Sequence, residues 1–240
     1  MIRHPYRTIL GDCPDDWAVR PLRELIDLPH CQSGDWGNES GEVAVSVLRS
    51  TNFTNDGHID LSDVAIRFFP VQKADVMKLQ KGDILLERSG GSPVQPVGRV
   101  LIIDRDMPGY WFSNFIHCLR PNPNHVIPGF LKWVLYELHH SGVVERLQNQ
   151  TTQMRNLELR DYFLSRMPVP EKCEQRAICG AIDAVDAMIA HSKALIGITG
   201  SLRRDNMGGV LNRLKDSLLS NLVLGRVRID ATHQTIESRK

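Results

Sequence analysis

Glycines, an arginine and small polar residues gather in one short stretch, GDILLERSGGSP at 82–93, and that combination first suggests phosphate chemistry. A phosphate loop of the G-x-x-x-x-G-K-[ST] type needs a lysine to reach the phosphates and a hydroxyl to hold magnesium. Here the glycines run into SPVQP without a lysine. A dinucleotide fingerprint needs G-x-G-x-x-G between a strand and a helix, and Pro93 with Pro96 forbids a helix starting there. Asp83 and Glu87 share one face if the run is a strand, but Glu87 is followed by Arg88 and Ser89 with no lysine beside it to complete a nuclease set, and Asp83 better fits a turn cap. His139 and His140 are neighbours that a helix turns to different faces, so they cannot chelate one ion as an i, i+4 pair would. No serine sits in G-x-S-x-G. The five cysteines (Cys13, Cys31, Cys118, Cys173 and Cys179) include no C-x-x-C pair, which argues against a zinc site and a disulfide framework alike. The reading is therefore of a chain that is not an enzyme, binds no metal and carries no cofactor of its own.

What recurs instead is a strand-like run ending in arginine and short polar residues. VLRSTN supplies Arg49, Ser50 and Asn52, while LLERSGGS supplies Arg88, Ser89, Gly90, Gly91 and Ser92. VGR supplies Arg99, and NQTTQMRN supplies Gln150, Thr151, Thr152, Arg155 and Asn156. Guanidinium, amide and hydroxyl groups contact phosphates and read base edges, and glycine lets a backbone approach closely. The same residues also populate solvated turns, and pattern alone leaves both readings open. Charge does not decide between them. The net charge is +1, with 18 Lys plus Arg against 20 Asp plus Glu over 1–170 and 11 against 8 over 171–240. DNA binding by the larger part must rest on local clustering rather than on an overall basic field.

The elements that would position these residues follow from periodicity. With 240 residues, 42% of them hydrophobic and 24% charged, the chain suits one large folded domain, alone or with an appendage. GDWGNESG is saturated with turn formers, and EVAVSVLRS after it has the β-branched richness of a buried strand. Asp56-Gly57 marks a tight turn, and ILLE, GRVLIID and FSNFIHCLRP read as further strands. Pro128 opens a helix whose face carries Phe130, Leu131, Val134, Leu135 and Leu138. Pro168 and Pro170 mark a boundary. Beyond it Ile178, Ile182, Val185, Ile189 and Ile196 recur with a period near three and a half, and Leu211, Leu214, Leu218 and Leu222 resume on a shifted register. The intervening glycines predict a stutter or a break near 203–209. An unbroken helix would span on the order of 75 Å, too long to bury its stripe on a small domain, so it calls for another helix. The expected class is α+β: a mixed domain over 1–170, a long coiled-coil-type helical region over 171–225, and a loose tail over 226–240. The chain has no apolar run of membrane-spanning length and its N-terminal stretch has no secretory pattern, which predicts a cytoplasmic protein.

The order of these features resembles one target-recognition module of the specificity subunit of type I restriction-modification systems. The resemblance is carried by DWAVRPLREL, GEVAVSVLRSTNF with GHID, LQKGDILLERSGGSP ending in VGR, SNFIHCLRP, and NQTTQMRNLELRDYFLSRMPVPEKCEQRAI. Within it, Gly82, Asp83, Ile84 and Leu85 match the family's G-D-I-L strand. Pro168, Pro170, Glu174, Gln175 and Ile178 match the P-x-P-x-x-x-E-Q-x-x-I opening of its long helix. Typical members carry two modules and two antiparallel helices, so this chain is similar to half a subunit. The resemblance implies double-stranded DNA as ligand and adenine methyltransferase subunits, with their S-adenosylmethionine, as partners. It also implies a motor-nuclease subunit that cuts. A lone apolar helix adds the expectation of a homodimer reading a palindromic, gapped site. A protein-interaction scaffold that dimerises without reading DNA is the alternative.

Overall fold

The computed structural model describes residues 7–74, 78–92, 95–151, 154–199, 204–227 and 229, without the side chains of 150, 151, 193–199 and 204–209. They divide into two compact units, Arg20–Met167 and the two chain ends, Met1–Val19 with Pro168–Lys240.

In the Arg20–Met167 unit the ILLE run forms the strand Ile84–Glu87, buried at all four positions. It lies inside an antiparallel sheet ordered Val100–Ile102, Ile84–Glu87, Ile116–Leu119, Gln32–Ser33. A strand flanked on both edges and covered on both faces must be apolar without alternation, which is why its sequence lacks a period of two. A second sheet is mixed. Val43–Leu48 pairs antiparallel with Ala65–Phe69 and parallel with Tyr110–Phe112. Val45, Val47 and Leu48 point from it into a core with Phe69, Leu85 and Phe112. A third sheet joins the hairpin Gln148–Thr151 and Met154–Leu157 to the short strand Ser89–Gly91. The helix Pro128–His140 starts with proline at its first turn, where the missing N–H costs nothing, and packs on Val100–Ile102. It stops at Gly142, whose φ of 74° lies in the left-handed region, and Val143–Leu147 continues as a separate 3-10 turn.

The chain ends form a helical unit. Lys172–Thr199 and Arg204–Val223 are separate helices that pack on each other, and Lys215 pairs with Asp186 at 2.5 Å. Along one unbroken helix those two residues would stand about 43 Å apart. Of the two expected arrangements, one helix with a stutter or two helices, the chain takes the second: Arg204–Val223 runs back along Lys172–Thr199 and covers part of its stripe. Gly208 and Gly209 lie inside the second helix rather than at a break. Two glycines each cost up to about 1 kcal/mol in helix, and the packing of Leu219, Leu222 and Val223 at under 2% exposure offsets that. Ile178, Ile182 and Ile189 are buried from the first helix; Val185, Leu211 and Leu218 are half-buried, Leu214 is 60% exposed, and the side chain of Ile196 lies outside the described residues. Gly225 closes the second helix, donating to Leu222 O, while Arg226 N donates to Asn221 O. The leader is tied to this unit: Trp17 Nε1 donates to Glu174 Oε2 at 3.1 Å. Among the described residues no helix is long and apolar enough to cross a membrane.

Candidate nucleic-acid interface

Turn chemistry delivers the central strand. Asp83 is 1% exposed and accepts from Gln80 N, so it does cap the turn; its oxygens also receive Arg120 Nε at 2.8 Å and Nη2 at 2.9 Å. At the far end Glu87 is buried and takes a fork from Arg99, Nε at 2.9 Å and Nη2 at 2.8 Å. Arg99 also donates to the carbonyls of Phe53 and Ser50. Its guanidinium therefore staples the turn Ser50–Asn52 to the strand, with little of it left for a ligand. A buried bidentate pair of this kind is geometrically exacting. Asn52 is likewise internal: its Oδ1 accepts from Arg49 N, and its Nδ2 donates to the carbonyls of Asp60 and Asp63.

Arg49 and Arg88 stand differently. Arg49 Nη2 donates to the Asp63 carboxylate at 2.7 Å and to its carbonyl, while Nε has no hydrogen-bond partner. Arg88 is pinned at its backbone, N donating to Phe115 O and O accepting from Leu157 N. Its side chain is half-buried and donates through Nη1 to Ser33 Oγ at 2.7 Å. Ser33 Oγ in turn lies 3.1 Å from His117 Nδ1. Burial, with the Arg88 charge beside it, pushes the His117 ring down to about 4, so the ring is neutral near pH 7.

The glycine pair serves its own loop. Gly90 has φ 96°, and a Cβ on Gly91 would meet Val97 at 2.7 Å. Ser89 is buried and hydrogen-bonds Asn156 across the third sheet, and Ser92 and Gln95 exchange backbone hydrogen bonds. Arg155, opposite Gly91 in register, reaches Glu145 at 3.3 Å. The backbones of Gln150 and Thr151 belong to the hairpin; their side chains and all of Thr152 lie outside the described residues.

The loops converge on one cavity of about 460 Å³, lined by Trp36, Arg49, Ser50, Thr51, Gly90, Ser113, Asn114 and Phe115. Arg49, Ser50 and Gly90 were legible as candidates in sequence; Trp36 and the Ser113–Phe115 turn were not. Trp36 is braced by the Arg67 guanidinium 4.2 Å from its ring centroid, and Phe115 is 38% exposed. The only sequence hint was an aromatic residue set among turn formers, DWG and SNF. A concave wall of two aromatics beside an arginine and short polar groups can stack on and hydrogen-bond a planar polar ligand. Among the described residues no group of three or more His, Cys, Asp or Glu could hold a metal ion.

Comparison with known proteins gives this interface its context. A protein of Methanocaldococcus jannaschii named as the type I restriction enzyme MjaX specificity subunit is 19% identical over 203 residues, covering 84% of this chain and 47% of that protein. A chain from a solved structure on complex assembly and conformational transition of the type I R-M system shares the fold at TM-score 0.52 and 19% identity. That match covers 94% of this chain and 49% of the other. The S subunit of a type I system from M. genitalium superposes at TM-score 0.49, with 19% identity, over 90% of this chain and 51% of its own. The chain thus spans about half the length of these relatives. The model of the type I restriction modification DNA specificity domain matches residues 14–197, most of the chain, and the chain belongs to that family.

Proposed function

We propose that this chain is a DNA-reading subunit of a type I-like restriction-modification system, acting in the cytoplasm. Adenine methyltransferase subunits carrying S-adenosylmethionine, and a motor-nuclease subunit where the system restricts, supply the covalent chemistry. The reading is supported by one observation above others: segments distant in sequence, 49–51, Gly90 and 113–115, line one cavity with Trp36, and the strand Met154–Leu157 pairs with Ser89–Gly91 beside it. Arg49, Ser50, Gly90, Arg88, Arg155 and the hairpin residues 150–152 are placed in this reading as the DNA-facing set. Arg99, Asn52, Ser89 and Asn156 hold that set in position from within, and Ser92 is tied by its backbone to Gln95. Two copies joined through the helical unit would present two recognition units to a palindromic, gapped site.

The test is selection from random duplexes with the chain co-purified with its methyltransferase. A consensus is expected, and Arg88→Ala should lose about 1 to 3 kcal/mol of discrimination at one base pair. Absence of any consensus would leave the protein-interaction scaffold as the better reading.

A further inference from the structure

Arg88 does not extend freely into solvent; one corner of its fork is held by a relay built from two other strands. Ser33 sits at the exposed edge strand Gln32–Ser33, and His117 lies opposite it in the neighbouring strand, the pair His117↔Ser33 being in register. Leu86, just before the Arg88 loop, faces His117 from the other side. The sheet order therefore brings Ser33, Arg88 and His117 together although 84 residues separate the first from the last.

We infer that Ser33 and His117 are positioning residues for base discrimination, fixing which edge of the Arg88 guanidinium faces DNA. The inference rests on the proposed reading of Arg88 as a DNA contact. A guanidinium only donates, so Ser33 Oγ must accept from Nη1. The cation orients the hydroxyl dipole so that the Ser33 proton is directed to His117 Nδ1, which accepts as a neutral ring. With Nη1 committed, the Nε and Nη2 edge is the one with two parallel donors to offer. That edge matches the O6 and N7 acceptors of guanine in the major groove. The ring behind the relay is fixed too: His117 is 7% exposed and its ring centroid is 5.6 Å from that of Phe163. Arg88 itself cannot slide, because its backbone N is bonded to Phe115 O in the Ser113–Phe115 turn and its O to Leu157 N in the strand Met154–Leu157.

The experiment uses the full chain co-purified with its methyltransferase, the selected duplex, and the same duplex changed one base pair at a time. Arg88→Ala identifies the base pair that Arg88 reads. Ser33→Ala and His117→Ala are expected to cut discrimination at that pair by about tenfold, part of the value of a bidentate contact, with affinity for random duplex unchanged. Ser33→Thr keeps the hydroxyl and His117→Asn keeps an acceptor at the Nδ1 position, so both should restore discrimination to within about threefold, which loss of packing alone would not allow. Because Ser33 is exposed, its alanine variant reports even if His117→Ala fails to fold. Full discrimination in Ser33→Ala, beside a loss in Arg88→Ala, overturns the relay and leaves the DNA-reading role of Arg88 standing. No change in Arg88→Ala itself overturns both.

Discussion

Three arginines that look alike in sequence, each closing a strand-like run, have different positions in the fold. Arg99 is enclosed by Glu87 and two carbonyls, Arg49 shares its guanidinium with Asp63, and Arg88 keeps one edge open. Local sequence could not separate them, since each commitment is set by a partner at least a dozen residues away. Asp83 was legible because its capping partner is three residues off. Glu87→Gln should remove the charge that compensates buried Arg99 and cost about 3 kcal/mol or more, read as a lowered urea midpoint. An unchanged midpoint would contradict the stapling role. His117 gives a pH signature. Its folded value of about 4 lies below the ordinary value of about 6.5, so between them the unfolded chain binds the extra proton. Its contribution is full above pH 6.5, is lost as pH falls, and levels off below 4. The loss is on the order of 3 kcal/mol at 1.36 kcal/mol per unit. His139, also lowered by burial, acts in the same window, so the comparison is between wild type and His117→Asn, whose stability should fall less steeply from pH 6.5 to 4.

At the scale of elements, what had a strong local signal was read correctly. Ile84–Glu87 has an apolar run between turns, Val43–Leu48 has β-branched density, and Pro128–His140 has a proline start and a three-and-four face. The turn Ser113–Phe115 was absorbed into a strand because FSNFIHCL offers no breaker, yet it separates a strand parallel to Val43–Leu48 from one antiparallel to Ile84–Glu87. Periodicity left open whether the glycines stutter one helix or divide two, because the stripe continues on both sides of them and periodicity does not report direction. Lys215 and Asp186 test the pairing directly. Lys215→Ala should destabilise the unit by about 3 kcal/mol, while Lys215→Met with Asp186→Leu should recover most of that, as apolar replacement of a buried ion pair does. Far-UV circular dichroism melts decide it. An effect of Lys215→Ala below about 0.5 kcal/mol, the range of exposed pairs, would place the two charges in solvent and the helices apart.

For the whole molecule, charge and exposed apolar surface set the constraints. With 18 basic against 20 acidic residues over 1–170, the recognition unit has no surplus to neutralise phosphates, and phosphate neutralisation supplies most non-specific affinity. The isolated chain should therefore bind duplex weakly. On the proposed reading, a complex with a methyltransferase should bind tightly, with a steep loss of affinity as salt rises, because the added positive surface releases counterions. The helical unit then bears on symmetry. Among the described residues, Met188 of the first helix is 66% exposed, and Val210 and Leu214 of the second are 42% and 60% exposed. Buried in a homodimer, these would contribute to association; left in water, they would be a liability. Met188→Glu with Leu214→Glu, both at exposed sites, should leave the fold intact, shift sedimentation from dimer toward monomer, and abolish methylation at paired half-sites in cells. If the sequence methylated by the wild type proved asymmetric, or if the double variant still methylated paired half-sites, two copies of this chain would not be what reads the DNA, and a different second reader would have to complete the site.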